Sequence, residues 1–407
     1  MRHKLYVIGA GPGSAGQLTQ DGREAISKAG LVVAARRHKP LAAGRPVVEL
    51  ENFDETFRQI DEALNSRSVA VIVSGDTGIY SLLPLLARRF PDEDLAVLPG
   101  ISSVQTLCAL LKTTWNDAVI LSGHGKAIGE AKILDAADQN GKTLFFCGPQ
   151  WNPARLSSLL ADNGMDFLRL AVGERLSYDD QKLTVGRPSE LARGSYDDLS
   201  LVMIENPTPW TKPARRLLDD EFIRTEAPMT RQVVRSAVLD ELRLEKNSVL
   251  WDLGAGTGSV SVAGALICDD GLVCAVEKNP DAAELIGRNA KKFHRHNIKI
   301  FCGDNLKVLP SLPRPTHVFV GGSGAELPEL LKTVAALGGN IRVVVSAVSL
   351  KTFAAAAEIL SGPMFTDFDA VQTSVSRAKR IGSTLIMAAQ NSVTIFTGLT
   401  ASGKEGC

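Results

Sequence analysis

Aromatic residues are scarce in this chain of 407 residues: Phe, Tyr and Trp together make up 5% of it. Its cores must therefore be mostly aliphatic. Net charge is lacking too, with 45 Lys+Arg against 45 Asp+Glu. A neutral chain exerts no global pull on nucleic acid or an anionic membrane, so an anionic partner would need a local basic patch. No C-x-x-C pair occurs among the six cysteines, Cys108, Cys147, Cys268, Cys274, Cys302 and Cys407. In a chain of this size they read as reduced core thiols, not as a disulfide frame. Metal-ligand spacing is missing as well, and His294-x-His296 is the nearest approach to it. No metal is expected. The apolar run Leu5–Ile8 near the start is too short for a signal peptide or a membrane span, so the expectation is a cytoplasmic chain without a membrane partner.

What is present is globular: 44% hydrophobic and 22% charged residues. Length alone suggests two or three domains. Three prolines between Pro207 and Pro213 can continue neither a helix nor a central strand, which marks a joint. The expected division is 1–206, a linker at 207–218, and 219–400. The neutrality is a cancellation across that joint, about −3 before it and +3 after it.

Short β-rich runs alternate with helix-length segments on both sides, which predicts α/β layering with largely parallel strands. In the first half the strand candidates run from Leu5–Gly9 to Leu199–Ile204. In the second half five alternating units precede two runs, Phe365–Val375 and Thr384–Phe396, expected to pair as a closing antiparallel hairpin.

Glycine-rich loops follow several of these strands. Asp252-Leu253-Gly254-Ala255-Gly256-Thr257-Gly258 ends a strand and opens a helix. A dinucleotide loop would want a third glycine where Ser259 stands, and does not ask for the acid at Asp252. Asp252 could instead take an ammonium group, directly or through water. Glu277, ending the next strand, could accept both hydroxyls of a ribose, and Asp304 and Asn305 after the third strand could read an adenine amino group. That set describes S-adenosyl-L-methionine better than a pyrophosphate. A nicotinamide cofactor and a merely structural turn remain the alternatives. Gly9, Gly11 and Gly13 form a comparable loop, but Pro12 removes an N–H a phosphate cradle would use, leaving a ligand-approach loop or a structural turn.

These pieces carry a resemblance. Ile8–Gly13, Ser74–Tyr80, Pro99–Ser103 and Trp115–Asp117 with Ser122–Lys126 resemble the tetrapyrrole methylase family. Asp220–Glu226, Pro228–Thr230, Leu250–Ser261, Val276–Pro280, Gly321–Gly324 and Val375–Arg377 resemble the small class I methyltransferases of cobalamin synthesis. Thr77 departs from the Pro usual at that place. Together, in this order, the halves resemble the fused precorrin-6Y C5,15-methyltransferase (decarboxylating) family. The resemblance implies an N-terminal tetrapyrrole-methylase-like α/β domain that methylates C5. It implies a C-terminal Rossmann-like domain that methylates C15 and removes the carboxyl of the C12 acetate. It also implies a precorrin-6Y-type substrate, metal-free or in its cobalt form, a dimer-forming first domain and a tetramer-forming second one.

Residue types suggest further roles. Gly75, Asp76 and Ser102 belong to the expected cofactor loops of the first half, and Thr230 to those of the second. His124 in a strand-end loop could hydrogen-bond substrate or shuttle a proton, and Asp76 could face the ligand or cap the following helix. Tetrapyrrole carboxylates need cations. Arg231 and Arg235, one turn apart, and Arg377 and Arg380 before the last strand are candidates, with Gly322 and Ser323 nearby. Arg36-Arg37-His38-Lys39 reads as loop surface. A rival reading is a class I methyltransferase acting on RNA with the first half as a binding module. Zero net charge and the lack of a basic arm weigh against it.

Overall fold

The computed structural model describes residues 3–125, 128–322 and 326–401. The chain is mixed α/β and divides into two compact units, Met1–Pro209 and Trp210–Cys407. No described helix is long and apolar enough to cross a membrane.

The first unit opens with five short aliphatic strands: β1 (Leu5–Gly9), β2 (Leu31–Ala34), β3 (Val47–Glu49), β4 (Val69–Val73) and β5 (Leu95–Leu98). They form one sheet in the order β3-β2-β4-β1-β5, and every pairing is parallel. Helices between the strands cover both faces, which is why β4 is buried along its whole length. Alternate residues feed two separate aliphatic layers. Leu5, Val7, Val33 and Val71 lie in one, and Ile8, Val32, Ala70 and Ile72 in the other.

A second sheet follows, from β6 (Val119–Ser122), β7 (Lys142–Phe146), β8 (Arg169–Glu174), β9 (Lys182–Gly186) and β10 (Ser200–Glu205), in the order β6-β7-β10-β8-β9. Only β6 and β7 are parallel; the other three pairings are antiparallel. The expectation of largely parallel strands fails here because β9 follows β8 without an intervening helix. A direct return of that kind makes an antiparallel neighbour.

The second unit contains β11 (Val249–Leu253), β12 (Leu272–Glu277), β13 (Ile298–Cys302), β14 (His317–Val320), β15 (Arg342–Ala347), β16 (Phe365–Thr373), β17 (Ser376–Ile381), β18 (Thr384–Ala389) and β19 (Val393–Thr400). Seven of them form a sheet in the order β13-β12-β11-β14-β15-β19-β16. The first five are parallel, and β19 runs antiparallel to both β15 and β16. The C-terminal runs are thus cut differently from the single hairpin expected. β16 pairs with β19, while β17 and β18 form a separate two-stranded ribbon between them. Every residue of β17 is exposed, so the ribbon lacks the buried face that β19 has.

Candidate functional sites

Each unit has a cavity at the carboxyl ends of its parallel strands, where loops leave the sheet and backbone can approach a ligand. In the first unit the cavity is about 280 Å³. Pro12 after β1, Arg37 after β2, Ser74–Asp76 with Ile79 and Tyr80 after β4, Ser102 after β5 and His124 after β6 contribute to its wall. Cys147, Arg175, Tyr178 and Asp198 supply part of the rest.

The glycines in this site hold loops together. Gly11 and Gly75 exchange backbone hydrogen bonds, Gly11 N to Gly75 O at 3.2 Å and Gly75 N to Gly11 O at 2.8 Å. A Cβ on Gly100 would run into the Gly75 and Gly9 carbonyl oxygens. Gly9, Gly11 and Gly13 are not themselves on the cavity wall: Gly9 and Gly11 let three strand-end loops close on one another, and a Cβ on Gly13 would meet the Tyr178 ring. Asp76 does the same with its side chain. Oδ1 accepts from Gly78 N at 2.8 Å and Oδ2 from Gly100 N at 3.1 Å. Both oxygens hold backbone N–H groups, so from its place on the cavity wall Asp76 clasps the loops after β4 and β5. The Ser102 hydroxyl accepts from Val104 N at 3.1 Å as a helix cap, so its side chain is also committed. His124 is exposed on the wall, with its backbone N–H donated to Ser122 Oγ at 3.1 Å.

The surface reading of Arg36–Lys39 holds for Arg36, Arg37 and Lys39, which are exposed, and fails at His38. Arg37 lines the cavity and His38 is wholly buried. Burial, with the Arg37 charge beside it, pulls the His38 pKa down to about 4. The signal that would have found Arg37 is β2 itself. Once Leu31–Ala34 counts as a strand, Arg37 stands at its carboxyl end.

The second cavity is larger, about 830 Å³. Its wall carries Thr230, Arg231, Gly254, Ala255, Gly256, Glu277, Asp304, Asn305 and Gly322, so most residues expected there converge on one space. Lys278, Asn279, Glu326, Ser346, Gln390 and Asn391 line it too and were not anticipated. Gln390 and Asn391 follow the ribbon in sequence, and no spacing rule joins them to the glycine loop. Glu277 is the organising group. Oε2 accepts from Gly256 N at 2.9 Å and Oε1 from Asn279 N at 3.0 Å. Gly254 has φ +73°, and a Cβ there would meet the Gly322 carbonyl.

Several expectations change. Asp252 is fully buried behind the loop, and Ser261 Oγ donates to its Oδ2. Its Oδ1 has no partner among the described residues, and burial raises its carboxyl pKa to about 6. It is not on the wall, so a direct contact with a ligand in this cavity is excluded. Thr257 and Gly258 also lie behind the wall: Thr257 is buried, and a Cβ on Gly258 would meet the Ile286 side chain. Arg235 is not a free cation. It is 2% exposed, donates to Leu217 O at 2.6 Å and Thr230 O at 2.8 Å, pairs with Asp219 at 3.2 Å and lies over the Phe222 ring. A guanidinium with those partners braces the segment that carries Thr230. Arg377 and Arg380 stand on the exposed ribbon and not on the wall; Arg377 donates to Gln232 Oε1 at 3.5 Å. Ser323, with Gly324, lies outside the described residues. The reading of all six cysteines as core thiols fails at Cys302, which is exposed, and Cys407 lies outside the described residues.

Residues 4–192 match the family described as Tetrapyrrole (Corrin/Porphyrin) Methylases, and residues 221–400 match the Precorrin methyltransferase domain. Over 351 residues the chain is 27% identical to the precorrin-6Y C(5,15)-methyltransferase (decarboxylating) of Sinorhizobium sp, covering 85% of this chain and 84% of that protein. The second half is 38% identical over 192 residues to a probable cobalt-precorrin-6B C(15)-methyltransferase (decarboxylating) of Pyrobaculum aerophilum, covering 46% of this chain and 97% of the relative. Among solved structures, a precorrin-6Y C5,15-methyltransferase from Geobacter metallireducens is 32% identical, covering 47% of this chain and 100% of that chain, with a TM-score of 0.44.

Proposed function

Since this chain belongs to the precorrin-6Y C5,15-methyltransferase (decarboxylating) family, we propose that its two cavities divide that family's reaction between them. The enzyme is a methyltransferase of cobalamin biosynthesis that couples methylation of precorrin-6Y at C5 and C15 to decarboxylation, giving precorrin-8. The division proposed is C5 methylation in residues 1–206, and C15 methylation with loss of the C12 acetate carboxyl in residues 219–400, joined by 207–218.

The methyl donor proposed for both cavities is S-adenosyl-L-methionine. The observation that carries this is the Glu277 carboxylate at the end of β12, bonded to the Gly256 N–H. A pyrophosphate would need that N–H for itself and would meet a carboxylate. A ribose would meet an acceptor for its hydroxyls instead. Asp304 and Asn305 supply polar groups for an adenine edge, and the buried Asp252 beneath the loop adds negative potential for a cation above it. These residues fit the donor. It supplies an activated methyl on a sulfonium, whose leaving group is neutral.

Departure of a neutral thioether needs no acid from the protein. The meso carbon is an enamine-like nucleophile activated by the neighbouring ring nitrogen. What the residues must do is align it with the methyl, and orientation of this kind can contribute ~7–11 kcal/mol. Arg231, Gln390 and Asn391 on the wall of the second cavity are positioned to hold the macrocycle's edge. For decarboxylation the wall must exclude water from the acetate and leave its carboxylate poorly paired. A homo-oligomer, dimer or tetramer, is the assembly proposed. The ribbon exposes Ile381, Leu385, Ile386 and Met387, which makes it the element to examine.

The test is mass analysis after incubating the full chain with precorrin-6Y and labelled S-adenosyl-L-methionine. Two methyl groups gained and one CO2 lost are expected. A single methyl would leave one cavity without its assigned reaction.

A further inference from the structure

The wall of the first cavity carries a cation whose charge no carboxylate among the described residues answers. Two arginines line that cavity, Arg37 and Arg175. The charge of Arg175 is answered by two carboxylates: Asp180 stands 2.6 Å from its Nε and Asp197 3.6 Å from its Nη1, and it lies over the Tyr178 ring. Arg37 forms no ion pair among the described residues. Its contacts are a buried imidazole and a hydroxyl. Nε donates to His38 Nε2 at 3.2 Å, Nη2 donates to Ser74 Oγ, and that oxygen lies 2.9 Å from the same His38 Nε2.

This geometry fixes the tautomer. An arginine N–H can only donate, so His38 Nε2 is the acceptor and the ring proton is on Nδ1. His38 is 0% exposed, and its Nδ1 has no partner among the described residues. A buried imidazole with one nitrogen unmatched costs stability, which an aliphatic side chain at that place would not. The ring's evident effect is on Arg37. With Ser74 it takes two of the five guanidinium protons and leaves three for the cavity, in the planar arrangement that meets a carboxylate.

We propose that Arg37, held in place by His38 and Ser74, anchors a carboxylate side chain of the tetrapyrrole in the first cavity. Arg37 is then a substrate-binding residue and His38 a positioning residue. The inference rests on the division of labour proposed above, with C5 methylation in the first unit.

The experiment uses the full chain with precorrin-6Y and S-adenosyl-L-methionine, following the C5 and C15 methylations separately by mass analysis across substrate concentrations. Arg37→Ala is expected to raise KM for the C5 step about tenfold or more, the scale for losing a charged hydrogen bond. Its kcat should change little, and C15 methylation with CO2 loss should proceed as before. Arg37→Lys should recover only part of the loss, because an ammonium cannot reproduce the fork. His38→Leu should raise the same KM while leaving the unfolding temperature equal or higher. His38→Gln, whose Oε1 can accept the Arg37 Nε–H, should restore KM. A merely structural histidine would instead lose stability and activity together in His38→Leu. An unchanged KM in Arg37→Ala, or failure of Gln to rescue, overturns the proposal. Gly100→Val separates it from the broader reading, because a side chain there drives the Gly9 and Gly75 loops apart. If Gly100→Val abolishes the C5 step while Arg37→Ala leaves it intact, only the Arg37 assignment falls. Should C5 methylation survive Gly100→Val, the division of labour falls, and the Arg37 proposal with it.

Discussion

Glu277 places each carboxylate oxygen on a backbone N–H, one from the glycine loop and one from the start of the next helix. That makes it the clasp of the loop and, in the function proposed, the group that meets the ribose hydroxyls. Glu277→Ala is therefore expected to weaken S-adenosyl-L-methionine binding by about tenfold or more, from lost charge-assisted hydrogen bonds and a loosened loop together. Calorimetric titration measures it, and an unchanged affinity would remove Glu277 from the ribose site. Asp252 was legible as a special acid, since its place two residues before Gly254 stands out in sequence. Its burial was not legible, because depth depends on what the rest of the chain lays over the strand end. Arg235 shows the same limit. Helical spacing put it beside Arg231, yet Asp219, Leu217 and Phe222 draw it inward, and those contacts are set by the path of the preceding segment.

Most elements with an aliphatic run were legible, although the short, wholly buried β2 was passed over. The aliphatic runs that became β1, β4, β11 and β12 announce themselves because both faces of a parallel strand need covering. The β17–β18 ribbon has no such cover, and an isolated two-stranded ribbon is marginal in water. Leu385 and Met387, 62% and 67% exposed, lie on it. Contact with another copy through this ribbon would bury them, so Leu385→Glu is expected to shift the full chain to a smaller assembly. Light scattering coupled to size exclusion checks this, and an unaltered mass would exclude the ribbon from the interface. The strand-end loops, by contrast, are legible from their glycines, and several of them line the two cavities. Only their interlocking through Gly9, Gly75 and Gly100 needed the fold.

At the scale of the whole molecule the two units carry buried titratable groups that respond to pH in opposite senses. His38 has its pKa lowered from 6.5 to about 4, so between those values the unfolded chain binds a proton that the folded first unit refuses. Acidification below 6.5 therefore removes stability from that unit, on the order of 1–3 kcal/mol in full. Asp252 has its pKa raised from 3.8 to about 6, so between those values the folded second unit holds the extra proton. Its stability falls as pH rises through 6 and recovers on acidification, by a similar order of magnitude. Scanning calorimetry between pH 7 and 5 should show the first unit's transition moving down and the second's moving up relative to it. His38→Leu should flatten the first trend and Asp252→Asn the second; trends that survive both substitutions would rule out these groups as the cause. The sequence by itself determined that there are two α/β halves with a proline-rich joint, which strand ends bear the loops, and which family's motifs they carry. Period, punctuation and short motifs are local properties, so a linear text holds them. Only the tertiary structure decided which charges face a cavity and which are consumed in holding it. It brought Arg37 to the wall, took Arg235 and Asp252 off it, and set Gln390 and Asn391 beside a glycine loop more than 130 residues earlier. Burial and partner choice depend on the packing of segments distant in sequence, and no spacing along the chain encodes that directly.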